Sequence, residues 1–123
     1  MRILKTSGFS KFTQSENITD ATLLHAAKEI EDGLVGAPLG SSVHKKRIAN
    51  PGKGKSGGFR TIIAFRKKDR VIFIQGYAKN QVSTLKPKEL KAVRKAAKEM
   101  LNWSDKEVDK LVEQDVLREI KDG

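Results

Sequence analysis

Between residues 45 and 70 the chain carries ten Lys or Arg, at 45, 46, 47, 53, 55, 60, 66, 67, 68 and 70, against the single acid Asp69. Three of them, Lys45, Lys46 and Arg47, fall in a run over residues 43–49 that reads as a strand, where successive side chains turn to opposite faces. Lys45 and Arg47 then share one face, and no apolar core accepts such a pair without an anion. Lys53 and Lys55 sit in a glycine-rich loop over residues 50–58, Arg60 opens the next strand, and Tyr77, Lys79 and Asn80 close a third. Cations gathered on neighbouring strands repel one another unless a negative group lies between them, so an anionic partner is implied.

The loop Gly52-Lys53-Gly54-Lys55-Ser56-Gly57-Gly58 invites a triphosphate-binding reading, but that motif needs glycine five residues before Gly54, where this chain has Ala49. It also needs an apolar strand before it and a helix after it, whereas here a basic strand precedes and another strand follows. A basic loop whose glycines admit a phosphodiester, with Lys53 and Lys55 to neutralise it, accounts for the composition better than an ordinary solvated connection. Tyr77 reads two ways, as a ring that stacks a base or as a cap on the core with its hydroxyl in water. No Ser/His/Asp arrangement and no paired carboxylates accompany the basic strands, so chemistry on an anion would draw its acid and base from Lys, Tyr or His. His25 and His44 are 19 apart with no acidic ligand spacing, and neither a metal nor another cofactor is expected.

The elements that must position these residues are set by periodicity. Residues 2–5 suggest a short strand, and Phe9 and Phe12 share one side of a helical turn. Thr19 reads as an N-cap, with Ile18 and Leu23 as a hydrophobic staple and Leu23, Leu24, Ala27, Ile30 and Leu34 at helical spacing up to a stop at Gly33. A turn-rich link over residues 36–40 leads into the basic strand. In residues 59–66, Phe59, Thr61, Ile63 and Phe65 face one way and Arg60, Ile62 and Ala64 the other, which predicts a central strand covered on both sides. Residues 67–70 connect it to residues 71–77 as an antiparallel hairpin. Pro87 opens a helix with a Leu90, Val93, Ala97, Met100/Leu101 stripe, Ser104 and Glu107 form a capping box for another, and residues 116–120 read as a closing strand.

With 123 residues, 37% hydrophobic and 33% charged, the chain suits one domain over residues 1–123. The absence of cysteine excludes disulfides and thiolate metal sites. There is no apolar run long enough to span a bilayer, the first residues lack the apolar stretch of a signal peptide, and cytoplasmic residence is expected. Net charge is +10, yet residues 104–123 hold seven acids and four bases (−3), which leaves +13 on residues 1–103. Basicity is localised, and nucleic acid, an anionic membrane surface or an acidic protein are the partners it suits.

Taken together, Lys45-Lys46-Arg47, Gly54-Lys55-Ser56-Gly57-Gly58-Phe59-Arg60 and Gly76-Tyr77-Ala78-Lys79-Asn80 give a chain that resembles the RelE/ParE superfamily of bacterial toxins, closest to the RelE/HigB-type branch. The resemblance covers nearly the whole chain. It implies a small α+β fold in which an antiparallel-rich twisted sheet of about four strands carries N-terminal helices, followed by C-terminal helices. It further implies a type II toxin, a ribosome-dependent endoribonuclease that cuts messenger RNA by metal-independent attack of the 2′-hydroxyl on the scissile phosphate. Its partners would be the ribosome, messenger RNA and a cognate antitoxin of helix-turn-helix type, with no membrane, and operator DNA met only through the toxin–antitoxin complex.

Carried over residue by residue, the resemblance makes Arg60 the arginine that contacts the scissile phosphate and Lys45 and Arg47 the two basic residues of the preceding strand. Lys79 and Asn80 match a Lys-Arg position, with asparagine in place of arginine, and Lys46, Lys53, Lys55 and Tyr77 would meet RNA around them. A tyrosine used shortly beyond that point in RelE is replaced by Leu85 and Lys86, so the general base stays open among Lys79, Lys46 and Tyr77. The loop at residues 50–58 is longer than in RelE. A ParE-like gyrase inhibitor and a non-catalytic RNA- or ribosome-binding module are the alternatives.

Overall fold

The run FRTIIAFR, apolar on both faces, sits inside a six-stranded sheet. The computed structural model describes residues 1–50, 58–78 and 85–121. In chain order the elements are β1 (Arg2–Thr6), α1 (Ser7–Ser15), α2 (Asp20–Glu31), β2 (Ala37–Gly40), β3 (Val43–Ile48), β4 (Phe59–Arg66), β5 (Arg70–Ala78), α3 (Pro87–Asn102), α4 (Asp105–Glu113) and β6 (Leu117–Ile120). The strands lie in the order β2-β3-β4-β5-β1-β6, antiparallel except for the parallel β1–β5 pair.

Among the described residues the sheet has six strands where the resemblance implied about four, and five of the six lie where the sequence pattern marks a strand. The unforeseen one is β2, where Pro38 between Gly36 and Gly40 had read as a turn; an edge strand tolerates proline because one side of it needs no ladder donor. The predicted central strand and hairpin are present as β4 and β5, with Lys68 at φ +64° in the connection.

Two apolar clusters, one on each face, explain why β4 is apolar throughout. On the first face, Phe9 of α1 and Leu23, Ala26, Ala27 and Ile30 of α2 bury against Ile48, Phe59, Ile63, Val71 and Phe73. Stacked Phe9 and Phe73 rings, 5.2 Å apart, and the tilted Phe12–Phe59 pair at 5.8 Å join helix to sheet. On the second face, Val93, Ala97 and Leu101 of α3 and Val108 of α4 cover Leu4, Val43, Ile62, Ala64 and Ile72. Burying this many large aliphatic side chains, each contributing about 1.5–3 kcal/mol, is what fixes the register, since a one-residue slip would exchange the two faces.

The helix ends are specified locally. Thr19 accepts from the Thr22 amide, and Ser104 and Glu107 form the reciprocal capping box, with Trp103 packed on the cluster that holds Val108. α2 ends with Leu34 N–H donating to Glu29 and Gly33 N–H to Ile30, with Gly33 at φ +97°. Leu34 thus falls past the cap and is 59% exposed, outside the helical stripe in which its spacing had put it.

One irregularity in the sheet decides which way the end of β5 faces. The β4–β5 register runs Ile62 with Gln75 and then Ile63 with Phe73, so Ile74 is an extra residue on β5. Simple alternation from Phe73 would put Tyr77 on Phe73's face. The bulge reverses that parity, places Tyr77 with Ile62 and Ile72, and brings Gly76 against Phe12. A Cβ at residue 76 would overlap the Phe12 ring. Gly76→Ala is accordingly expected to lower stability by about 1–3 kcal/mol, read as a fall in urea midpoint with the m-value unchanged.

Candidate functional site

On the face shared with α3, successive cross-strand rows can be read directly from the register. Arg47 of β3 stands opposite Arg60 of β4, and Arg60 opposite Tyr77 of β5; the next row is Lys45, Ile62 and Gln75. Directly opposed Cβ atoms lie about 4.5–5.5 Å apart, so Arg47 and Arg60 are immediate neighbours of like charge. Among the described residues neither has a carboxylate within 4.0 Å. Gly58 lies beside the guanidinium: a Cβ there would be in ordinary contact with Arg47 Nε at 3.6 Å and closer, at 3.3 Å, to the Ile48 carbonyl.

Tyr77 forms the floor. It is only 8% exposed, Lys45 Nζ sits 5.7 Å from its ring centroid, and its hydroxyl is buried with no hydrogen-bond partner among the described residues. Tyr77 packs within the apolar cluster under Lys45, which its ring attracts, as the core reading had it, but its hydroxyl is buried and not in water. Little of its ring is open for a base to stack on.

The structure therefore brings Lys45, Arg47, Arg60 and Tyr77 together. It sets Lys46 apart: alternation turns this side chain to the α2 face, where it is 6% exposed, pairs with Glu29 at 3.3 Å and donates to the Leu34 carbonyl at 2.8 Å. Lys46 ties β3 to the end of α2 and does not share a face with the other three cations. Lys53, Lys55, Lys79 and Asn80 lie outside the described residues. Sequence reasoning passed over Gln75, exposed on the same face as Arg60; only the bulge puts it there, and no local residue pattern signals the bulge.

The acids of the C-terminal region are occupied elsewhere. Arg2 binds Glu119 at 2.9 Å and Asp109 at 2.7 Å, and Asp105 lies 3.3 Å from Arg2 and 3.4 Å from Arg70. Arg66 and Arg70 cap the last turn of α3 by donating to the Leu101 and Met100 carbonyls. Acids and bases thus neutralise one another at the hairpin end of the sheet, whereas among the described residues the Arg47–Arg60 end has cations without acids. Such an arrangement can hold a phosphodiester and stabilise negative charge that grows on it.

Two consequences are measurable. Arg60→Gln removes the repulsion with Arg47 and is expected to raise the stability of the unliganded protein by roughly 0.2–1 kcal/mol in low-salt denaturant titrations. The pKa of His44 on β3 lies below its ordinary value because burial outweighs the backbone hydrogen bond with Ser42. The unfolded chain therefore takes up this proton more readily than the folded one. Stability is complete above about pH 6.5 and declines as the pH falls below it. Denaturant midpoints at pH 8 and 5.5 should show this loss, and His44→Asn should reduce it.

No curated protein matches the chain as a relative. The family described as the RelE toxin of the RelE / RelB toxin-antitoxin system matches residues 1–120. The match spans nearly the whole chain, and the chain belongs to the RelE toxin family.

Proposed function

We propose that this toxin is an endoribonuclease that cuts messenger RNA in the decoding site of the ribosome. The observation that carries the reading is the Arg47–Arg60 pair beside Lys45, which has no acid partner among the described residues. Like charges held face to face reduce stability, and a bound phosphate reverses the sign of that interaction.

In the proposed reaction the 2′-hydroxyl of the ribose attacks its own 3′-phosphate. The 2′-oxygen loses its proton to a base, the new P–O bond forms, the bond to the 5′-oxygen breaks, and that oxygen takes up a proton. Arg60 stabilises the charge on the pentacovalent phosphorus, with Arg47 and Lys45 holding adjacent phosphate oxygens. Lys79 and Asn80, which follow Tyr77 by two and three residues, are proposed to complete the site, with Lys79 as the base, since the Tyr77 hydroxyl is buried. Lys53 and Lys55 would meet the RNA backbone on either side. General acid–base terms contribute only about 10²- to 10⁴-fold each, so alignment of the message by the ribosome supplies much of the acceleration.

Membership of a toxin–antitoxin family implies a cognate antitoxin. We propose a helix-turn-helix partner that brings acidic or apolar residues over or beside the cationic face, with operator DNA reached only through the complex, and all of it in the cytoplasm. Among the described residues no helix is long and apolar enough to cross a membrane. A second reading, a non-catalytic RNA-binding module, is favoured by one observation: the patch holds three cations and a buried phenol, and among the described residues no carboxylate or imidazole shares its rows.

Induction of wild type and Arg60→Ala followed by mapping of messenger RNA ends separates these readings. Growth arrest with codon-phased cuts that Arg60→Ala reduces roughly 10²- to 10³-fold supports the ribonuclease. Arrest with intact messages and damaged DNA would point instead to a gyrase inhibitor of the ParE type, and ribosome binding without cuts to the non-catalytic module.

A further inference from the structure

A second group of cations lies on the outer face of α3. Lys88, Lys91, Lys95 and Lys98 are spaced three, four and three residues apart, which sets them in one line along about 15 Å of helix. All four are exposed, opposite the buried side made by Val93, Ala97 and Leu101. Arg94 is excluded from the line because it turns under the helix and donates to the Leu39 carbonyl at 2.6 Å. Glu99, the acid nearest the line, forms no ion pair with any of the four, and neither does another acid among the described residues.

Residues three and four apart on a helix are neighbours, and like charges there weaken it. A solvated helix face ordinarily mixes signs for that reason, whereas this one sets four lysines against a single acid, Glu99, which pairs with none of them. The row lies on the side of α3 turned away from the sheet face that carries the Arg47–Arg60 patch, so the two groups of cations face different ways. No aromatic or large aliphatic residue interrupts the outer face formed by Lys88, Lys91, Ala92, Lys95, Lys98, Glu99 and Asn102. Single-stranded RNA is held largely by stacking on aromatic rings, and protein interfaces centre on buried apolar anchors. Neither is provided here. A straight row of point charges suits the regular phosphates of a double helix.

We propose that the α3 lysine row is a second RNA site, which takes the phosphate backbone of double-helical RNA and anchors the toxin on structured ribosomal RNA while the patch engages the cut strand. This rests on the proposed function and deepens it. Its test uses the full chain with all four lysines changed to glutamine, a residue that keeps helix propensity, and a second variant with all four changed to arginine. Circular dichroism and denaturant midpoints establish that both fold. Affinity for a short RNA duplex, for unstructured polyuridylate and for ribosomes is then measured over a range of KCl concentrations.

The expected result is a salt dependence on the duplex that is shallower by about 0.9 for each phosphate that the glutamine variant leaves unneutralised. Ribosome affinity should fall in parallel, polyuridylate binding should change little, and the arginine variant and Arg60→Ala should match wild type on the duplex. An unchanged slope for the glutamine variant or an equal loss on polyuridylate would overturn the proposal. If Arg60→Ala still cut messages while the lysine row behaved as expected, the catalytic reading would fall and the anchoring site would stand.

Discussion

A sheet sealed on both faces has only its strand ends free for chemistry. Here α1 and α2 close one side and α3 and α4 the other, and β4 runs between them with Ile62, Ile63 and Ala64 almost wholly excluded from water. A cation in the middle of such a strand would lose its hydration with nothing to replace it. Arg47 and Arg60 occur at the end of the β3 and β4 strands because only there does the same side-chain direction reach solvent. The packing that stabilises the protein thereby also decides where its ligand is met.

Charge is distributed along the sheet to the same effect. At the hairpin end, Arg2, Arg66 and Arg70 are satisfied by Asp105, Asp109, Glu119 and the last carbonyls of α3. These bonds lock α4 and β6 onto β1 and use up acids that would otherwise attenuate the positive potential. At the other end the cations are left facing one another. Lys46 shows the contrast within a single strand, since one residue from Lys45 and Arg47 it is buried, paired and structural. Partly exposed ion pairs of this kind individually add little, and their value lies in fixing where each helix sits.

Much of this was legible in the chain itself. The two-faced apolar pattern of FRTIIAFR identified a covered central strand, Ser104 with Glu107 identified the start of α4, and Thr19 that of α2, because each signal is local and has one physical cause. The sharing of a face by Lys45 and Arg47 followed from strand parity alone. What escaped was non-local. Pro38 concealed an edge strand whose partner lies several residues on, and Leu34 kept helical spacing beyond a glycine cap. The burial of Lys46 depends on Glu29 and the Leu34 carbonyl, which approach it only after α2 has packed. Gln75 was invisible for a similar reason, since its direction depends on a register change that composition does not announce.

That register change makes β5 two half-strands counted on different clocks. Before Ile74 its odd-numbered side chains face α1 and α2; after it they face the side covered by α3, and a single inserted or deleted residue in that segment would exchange the two faces for everything downstream as far as the next turn. Drift in length at this point is therefore far more damaging than drift in residue type. Two sequences in this family that agree at every apolar position of β5 yet differ by one residue between Phe73 and Tyr77 would present opposite sides of the tyrosine's strand to RNA, and a gap placed there by alignment marks a change of orientation.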